Sequence, residues 1–61
     1  MFKMYTVTAK CLFVTNDQSY DMTMSVVIPA LTIDASISVA KRRFEQMKPD
    51  MYTIISAVEG K

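Results

Sequence analysis

The stretch Ile28-Pro29-Ala30-Leu31-Thr32-Ile33-Asp34 decides the fold, because across it the hydrophobic period changes from two to about 3.6. Before it, Tyr20, Met22, Met24, Val26 and Ile28 alternate with Asp21, Thr23, Ser25 and Val27, the pattern of a strand with one apolar face. Pro29 is expected to end that strand near Ile28, since proline donates no backbone hydrogen bond and restricts the residue before it. Thr32 stands where a helix N-cap belongs, and Asp34 falls in the first turn, near the positive end of the helix dipole. From there Ile33, Ile37, Ala40, Phe44 and Met47 step by four, three, four and three, which predicts a helix of about four turns with this stripe on the core. Lys48-Pro49-Asp50 closes it: the residue before a proline leaves the helical region, and Lys48 lies at the negative end of the dipole.

Working outward, Tyr5, Val7, Ala9, Cys11 and Phe13 alternate with Thr6, Thr8 and Lys10, so a first strand precedes the second. Leu12 and Val14 break the polar alternation on the opposite face near its end, where something else is expected to cover it. Asn16-Asp17-Gln18-Ser19 supplies the turn, with side chains that bond their own backbone. Met51 to Val58 is rich in β-branched residues and reads as a third strand. Two faces compete there, Met51, Thr53, Ile55, Ala57 against Tyr52, Ile54, Ser56, Val58, and the bulk of the second set favours it as the buried one. The chain is thus read as a single domain, residues 1–61, of α+β class. The order β-β-α-β forms a three-stranded antiparallel sheet in order 2-1-3, its first strand the longest and central, and one helix packed on one face.

Composition narrows the chemistry. There is no His and no Trp, one Cys (Cys11) and one Gly (Gly60). A base poised near neutral pH is usually His, a nucleophile needs such a base, and phosphate cradles need interior glycines. The expectation is therefore a protein that is not an enzyme, carries no cofactor or metal, and acts by binding. Cys11 has no disulfide partner and cannot with zero His supply a structural zinc site; it reads as a small buried hydrophobe. Seven Lys/Arg against six Asp/Glu give neither the negative surface of a DNA mimic nor the positive one of a non-specific DNA binder. No apolar run approaches the roughly 20 residues of a membrane span, and Met1 to Tyr5 lacks signal-peptide architecture, so the cytoplasm is expected.

Several signals are weighed against ordinary structural roles. Lys41-Arg42-Arg43 is not one compact basic patch on a helix: Lys41 and Arg43 flank the apolar stripe while Arg42 points away from it, leaving Arg42 the best exposed anchor for an acidic partner. Met22 and Met24 are expected under the helix as core filling, whereas Met4 and Met51, near element ends, are expected to be exposed. Asp17, Asp21, Asp34, Asp50 and Glu59 fall mostly at turns and termini, where solvation or capping accounts for them. The third strand carries no charge between Asp50 and Glu59, which leaves its edge open to strand addition by a partner or by a second copy.

The segment Ile28 to Asp34, followed by Ile37, Val39-Ala40 and Phe44, resembles the small host RNA polymerase inhibitors of the T-odd coliphages. That family also runs hairpin, Ala-x-Thr-aliphatic-Asp helix start, one helix and a final strand. The resemblance implies a phage-encoded, stoichiometric inhibitor that acts in the host cytoplasm on a bacterial protein complex, RNA polymerase or a defence system. The family's last strand presents arginines to the polymerase; Met51 to Val58 has no basic residue, so no contact transfers there. The residues expected to bind a partner are Arg42, Met51, Tyr52 and Ile54. Alternatives are a small nucleic-acid-binding module using Lys3, Lys10, Lys41, Arg42 and Arg43, disfavoured by the near-neutral charge, and a structural homodimer or larger homo-oligomer.

Overall fold

The computed structural model describes residues 1–60. Strand β1 (Lys3–Thr15) pairs antiparallel with β2 (Gln18–Ala30), helix α1 (Ile33–Gln46) crosses one face, and β3 (Met51–Glu59) returns antiparallel on the other side of β1. Sheet order is β2-β1-β3, so this is the α+β architecture expected, with β1 central. β1 is not the longest strand, contrary to the expectation from the sequence: β1 and β2 are equal at 13 residues each, because β2 continues through Pro29 and begins at Gln18. At about 1.5 Å per residue the 14-residue helix is only about half as long as these strands. The far end of the hairpin therefore projects beyond it, and the molecule measures 47 × 17 × 12 Å.

The hairpin turn is tighter than the sequence suggests. Thr15 opposes Gln18, leaving Asn16 and Asp17 as the whole loop, and Asn16 takes the left-handed φ of 51° that Asn tolerates better than most residues. Gln18 and Ser19, expected in the turn, belong to β2. Pro29 does not end β2, which continues to Ala30 with Pro29 opposite Met4. β2 is an edge strand, where a missing donor costs the ladder nothing if it faces away from β1.

Thr32 caps α1 as its position requires. Its backbone is extended, with φ −136° and ψ 161°, and its Oγ1 accepts a 3.1 Å hydrogen bond from the Ala35 N–H. The buried line of the helix is Ser36, Ala40 and Phe44, all fully covered, rather than the stripe from Ile33 to Met47. Ile33 and Met47 remain 42% and 41% exposed, and Ile37 is half-buried. Ser36 can be buried because its hydroxyl donates to the Ile33 carbonyl at 2.6 Å, and with Ala40 it presents little bulk to the sheet. Under them lie Val7, Ala9, Cys11 and Ile28, with Met24, Val26, Ile54 and Ala57 packed at the margins. Met22, expected under the helix, is 47% exposed: it lies on the edge strand, and the helix covers its partner Cys11 on the central strand instead.

The competing faces of β3 are both used. A β-bulge interrupts its pairing with β1: Ala9 opposes Ile54 and Thr8 opposes Ser56, so Ile55 has no partner. Tyr52 and Ile54 face the helix before the bulge and Ala57 faces it after, while Ser56 and Val58 lie on the open face, against the choice of the second set as uniformly buried.

Candidate functional site

The four residues expected to bind a partner are dispersed. Arg42 is exposed on α1, about 200° around the helix from both Ala40 and Phe44, and so lies on the side away from the sheet. Met51, 66% exposed, opposes Leu12 and lies on the sheet face that α1 leaves open. Tyr52 and Ile54 sit between these surfaces, half-buried on the helix side of β3. Tyr52 and Ile54 share the helix side of β3, Met51 adjoins them on the same edge, and Arg42 and Met51 occupy opposite sides of the molecule.

Tyr52 has a defined structural role. Its ring packs against Phe44 with centroids 6.2 Å apart, and its hydroxyl donates a 2.6 Å hydrogen bond to Glu45 Oε2. That bond, followed by partial desolvation and the negative charge of Glu45, raises the Tyr52 hydroxyl above its ordinary pKa of 10.0.

The backbone of the same residues faces the other way. The Met4 carbonyl accepts from the Gly60 N–H at 2.8 Å, the Leu12 carbonyl accepts from the Asp50 N–H at 2.8 Å, and the Val14 N–H donates to Asp50 Oδ2 at 2.6 Å. Even-numbered residues of β1 thus direct their backbone groups toward β3. Because inward and outward groups alternate along an antiparallel strand, Lys10 bonds toward its partner Thr53, and the backbone groups of Tyr52 and Ile54 point outward from the sheet edge. Among the described residues no strand pairs with that edge.

On the open face beside this edge is a shallow hollow of about 210 Å³ lined by Lys10, Leu12, Asp21, Met51, Tyr52 and Thr53. Lys10 Nζ and Asp21 Oδ2 form a solvent-exposed ion pair of 3.4 Å at its rim. Leu12 and Met51 supply apolar surface beside it, so the hollow suits an aliphatic side chain with a polar group next to it. Sequence reading missed Lys10, Asp21 and Thr53 as neighbours of Met51, because their proximity depends on cross-strand register. Leu12 did leave a trace, as the residue that broke the polar alternation of β1.

A second cluster lies at the hairpin end, where the half-buried Phe13 and the exposed Tyr20 oppose one another and stack with centroids 5.5 Å apart and planes 22° apart. Tyr20 is 51% exposed, beside Met22. Cys11 is fully buried and free, as its place in the apolar alternation implies. Among the described residues no three Cys, Asp or Glu side chains gather as metal ligands would, and no helix is long and apolar enough to cross a membrane. Comparison with protein-family models, curated proteins and solved structures finds no match to this chain.

Proposed function

We propose that this protein is a small non-enzymatic binding protein that lends the edge of β3 to a strand of another protein, in the manner of an inhibitor that occupies its target one to one. The observation that carries the reading is the coincidence of the outward backbone groups of Tyr52 and Ile54 with the Met51 hollow on the same stretch of edge. An added strand gains main-chain hydrogen bonds from such an edge, and specificity comes from pockets that receive alternate side chains. The bulge at Ile55 confines regular pairing to the first part of β3, from Met51 to Ile54. In this arrangement Tyr52 and Ile54 contribute backbone, Met51 contributes side-chain contact, and Arg42 lies outside the interface.

The order of elements and the helix start that resemble the phage polymerase inhibitors favour a bacterial protein complex as the target, with RNA polymerase or a defence complex as the first to assay. The test is affinity capture from nuclease-treated bacterial lysate, comparing wild type with Met51→Arg and Arg42→Ala. A stoichiometric protein retained by wild type and Arg42→Ala but lost with Met51→Arg supports the reading. Loss with Arg42→Ala alone moves the interface to the helix, and recovery abolished by nuclease replaces a protein target with nucleic acid.

A further inference from the structure

The second edge of the sheet has properties that β3 lacks. β2 keeps an unbroken register with β1 from Gln18 to Ala30, and Asp21 is its one charged residue. Odd-numbered residues of β1 bond toward β2, because the even-numbered ones bond toward β3. Their partners in β2 are the even-numbered residues, as in Cys11 opposite Met22 and Ala9 opposite Met24. The backbone N–H groups of Ser19, Asp21, Thr23, Ser25 and Val27 consequently point outward, and Pro29, the next in that series, has no N–H to offer. A long, nearly uncharged edge of this kind is what isolated proteins ordinarily avoid.

We propose that β2 pairs antiparallel with β2 of a second copy about a two-fold axis at Thr23, giving a six-stranded sheet with both helices on one face. The residues favour this register, which pairs all five outward donors. Centring on Thr23 places Ser19 opposite Val27 of the second copy and Asp21 opposite Ser25, so every outward donor finds an outward acceptor. Pro29 then falls beyond the paired segment. Moving the axis to Met24 would set Ser19 against Pro29 and leave the Ser19 carbonyl facing a residue with no donor. Moving it to Asp21 would oppose two carboxylates, which is destabilising.

Side chains on the helix side follow the same symmetry. Tyr20, left 51% exposed beyond the end of its own helix, comes beside Val26 of the second copy, and Met22, left 47% exposed, comes beside Met24. Aromatic and β-branched residues directly across a strand pair stabilise it, and the open face gains a Thr23–Thr23 pair at the axis. The overhang of one hairpin is thus covered by the half-buried row of the other. This pairing leaves β3 free and is independent of the function proposed for that edge.

The experiment is light scattering on wild type and Thr23→Pro over a range of concentrations, with circular dichroism to confirm folding. Wild type should show twice the chain mass and Thr23→Pro the mass of one chain, since the N–H removed at residue 23 points away from the internal ladder. Mild oxidation of Thr23→Cys should form a covalent dimer, whereas Ser19→Cys, remote from its own copy across the axis, should not; if the proline variant fails to fold, this pair decides. A wild-type mass of one chain throughout, a doubled mass retained by folded Thr23→Pro, or equal cross-linking of the two cysteine variants overturns the proposal.

Discussion

Asp50 holds Val14 with its side chain while its backbone holds Leu12, two residues earlier: Oδ2 accepts from the Val14 N–H at 2.6 Å, and the Asp50 N–H donates to the Leu12 carbonyl at 2.8 Å. β1 continues past the start of β3, and the carboxylate takes the place of the next β3 residue. Asp50→Ala should therefore destabilise the fold by roughly 1 kcal/mol, the net value of a solvent-accessible hydrogen bond that leaves a donor to water. Asp50→Asn, which keeps an acceptor oxygen, should lose less. Urea denaturation of the three proteins measures this, and equal midpoints would show that the contact contributes nothing.

Tyr52 and Glu45 make stability depend on alkaline pH. In the folded protein the hydrogen bond favours the neutral hydroxyl and raises its pKa above 10.0. The unfolded chain consequently loses this proton first. The contribution is complete below the unfolded pKa and declines as pH rises from there through the folded value. Tyr52→Phe should abolish that component of the pH dependence, and Glu45→Gln should reduce it. Thermal unfolding from neutral to alkaline pH, with tyrosinate absorbance followed in parallel, checks both; a Tyr52→Phe profile identical to wild type would refute the assignment.

Much of this fold is legible because each element is bounded by residues with one strong local preference. Thr32 caps, Asn16 turns and Pro49 stops, and the period-two faces of β1 and β2 hold through the structure. The failures occur where a neighbour decides. Pro29 reads as a terminator until β2 is known to be an edge. Ser36 reads as polar until its hydroxyl is seen bonded to Ile33 within the helix, which lets it lie against the sheet. Met22 reads as core until it is known to lie on an edge strand beside the covered Cys11. Of the candidate binding residues, Tyr52 and Ile54 turn their side chains toward the helix while their backbone faces the free edge, a division that depends on the register with β1. The hollow beside Met51 depends on three strands in register, which no local pattern encodes.

Lys48 adopts φ 55°, the left-handed conformation in which helices commonly end with glycine, and its N–H bonds to the Glu45 carbonyl at 3.0 Å. A residue with a Cβ is strained there by about 1 kcal/mol or more. Lys48→Gly should raise stability by up to about 1 kcal/mol, partly offset by the greater freedom of glycine in the unfolded chain. Lys48→Val, branched at Cβ, should lower it. Melting temperatures ordered Gly above Lys above Val are the expected result, and an order with Gly lowest would show that the Lys48 side chain contributes more than the strain it endures.

Ile55 is the extra residue of the β3 bulge, 55% exposed and opposite no residue of β1. Deleting it joins Ile54 directly to Ser56, whose partners Ala9 and Thr8 are already adjacent, so every other pair in the ladder keeps its register and its face. The deletion should fold, with stability changed by no more than about 1 kcal/mol, because a bulge is a local irregularity and little apolar surface is lost. Deleting Thr8 from the centre of β1 should unfold the protein instead, since it turns half of the central strand to the wrong face against both neighbours. Circular dichroism and amide hydrogen exchange distinguish the two. The regularised edge of the Ile55 deletion should also pair more readily with other strands, visible as a larger mass in light scattering; an edge no stickier than wild type would mean that the bulge does not protect it.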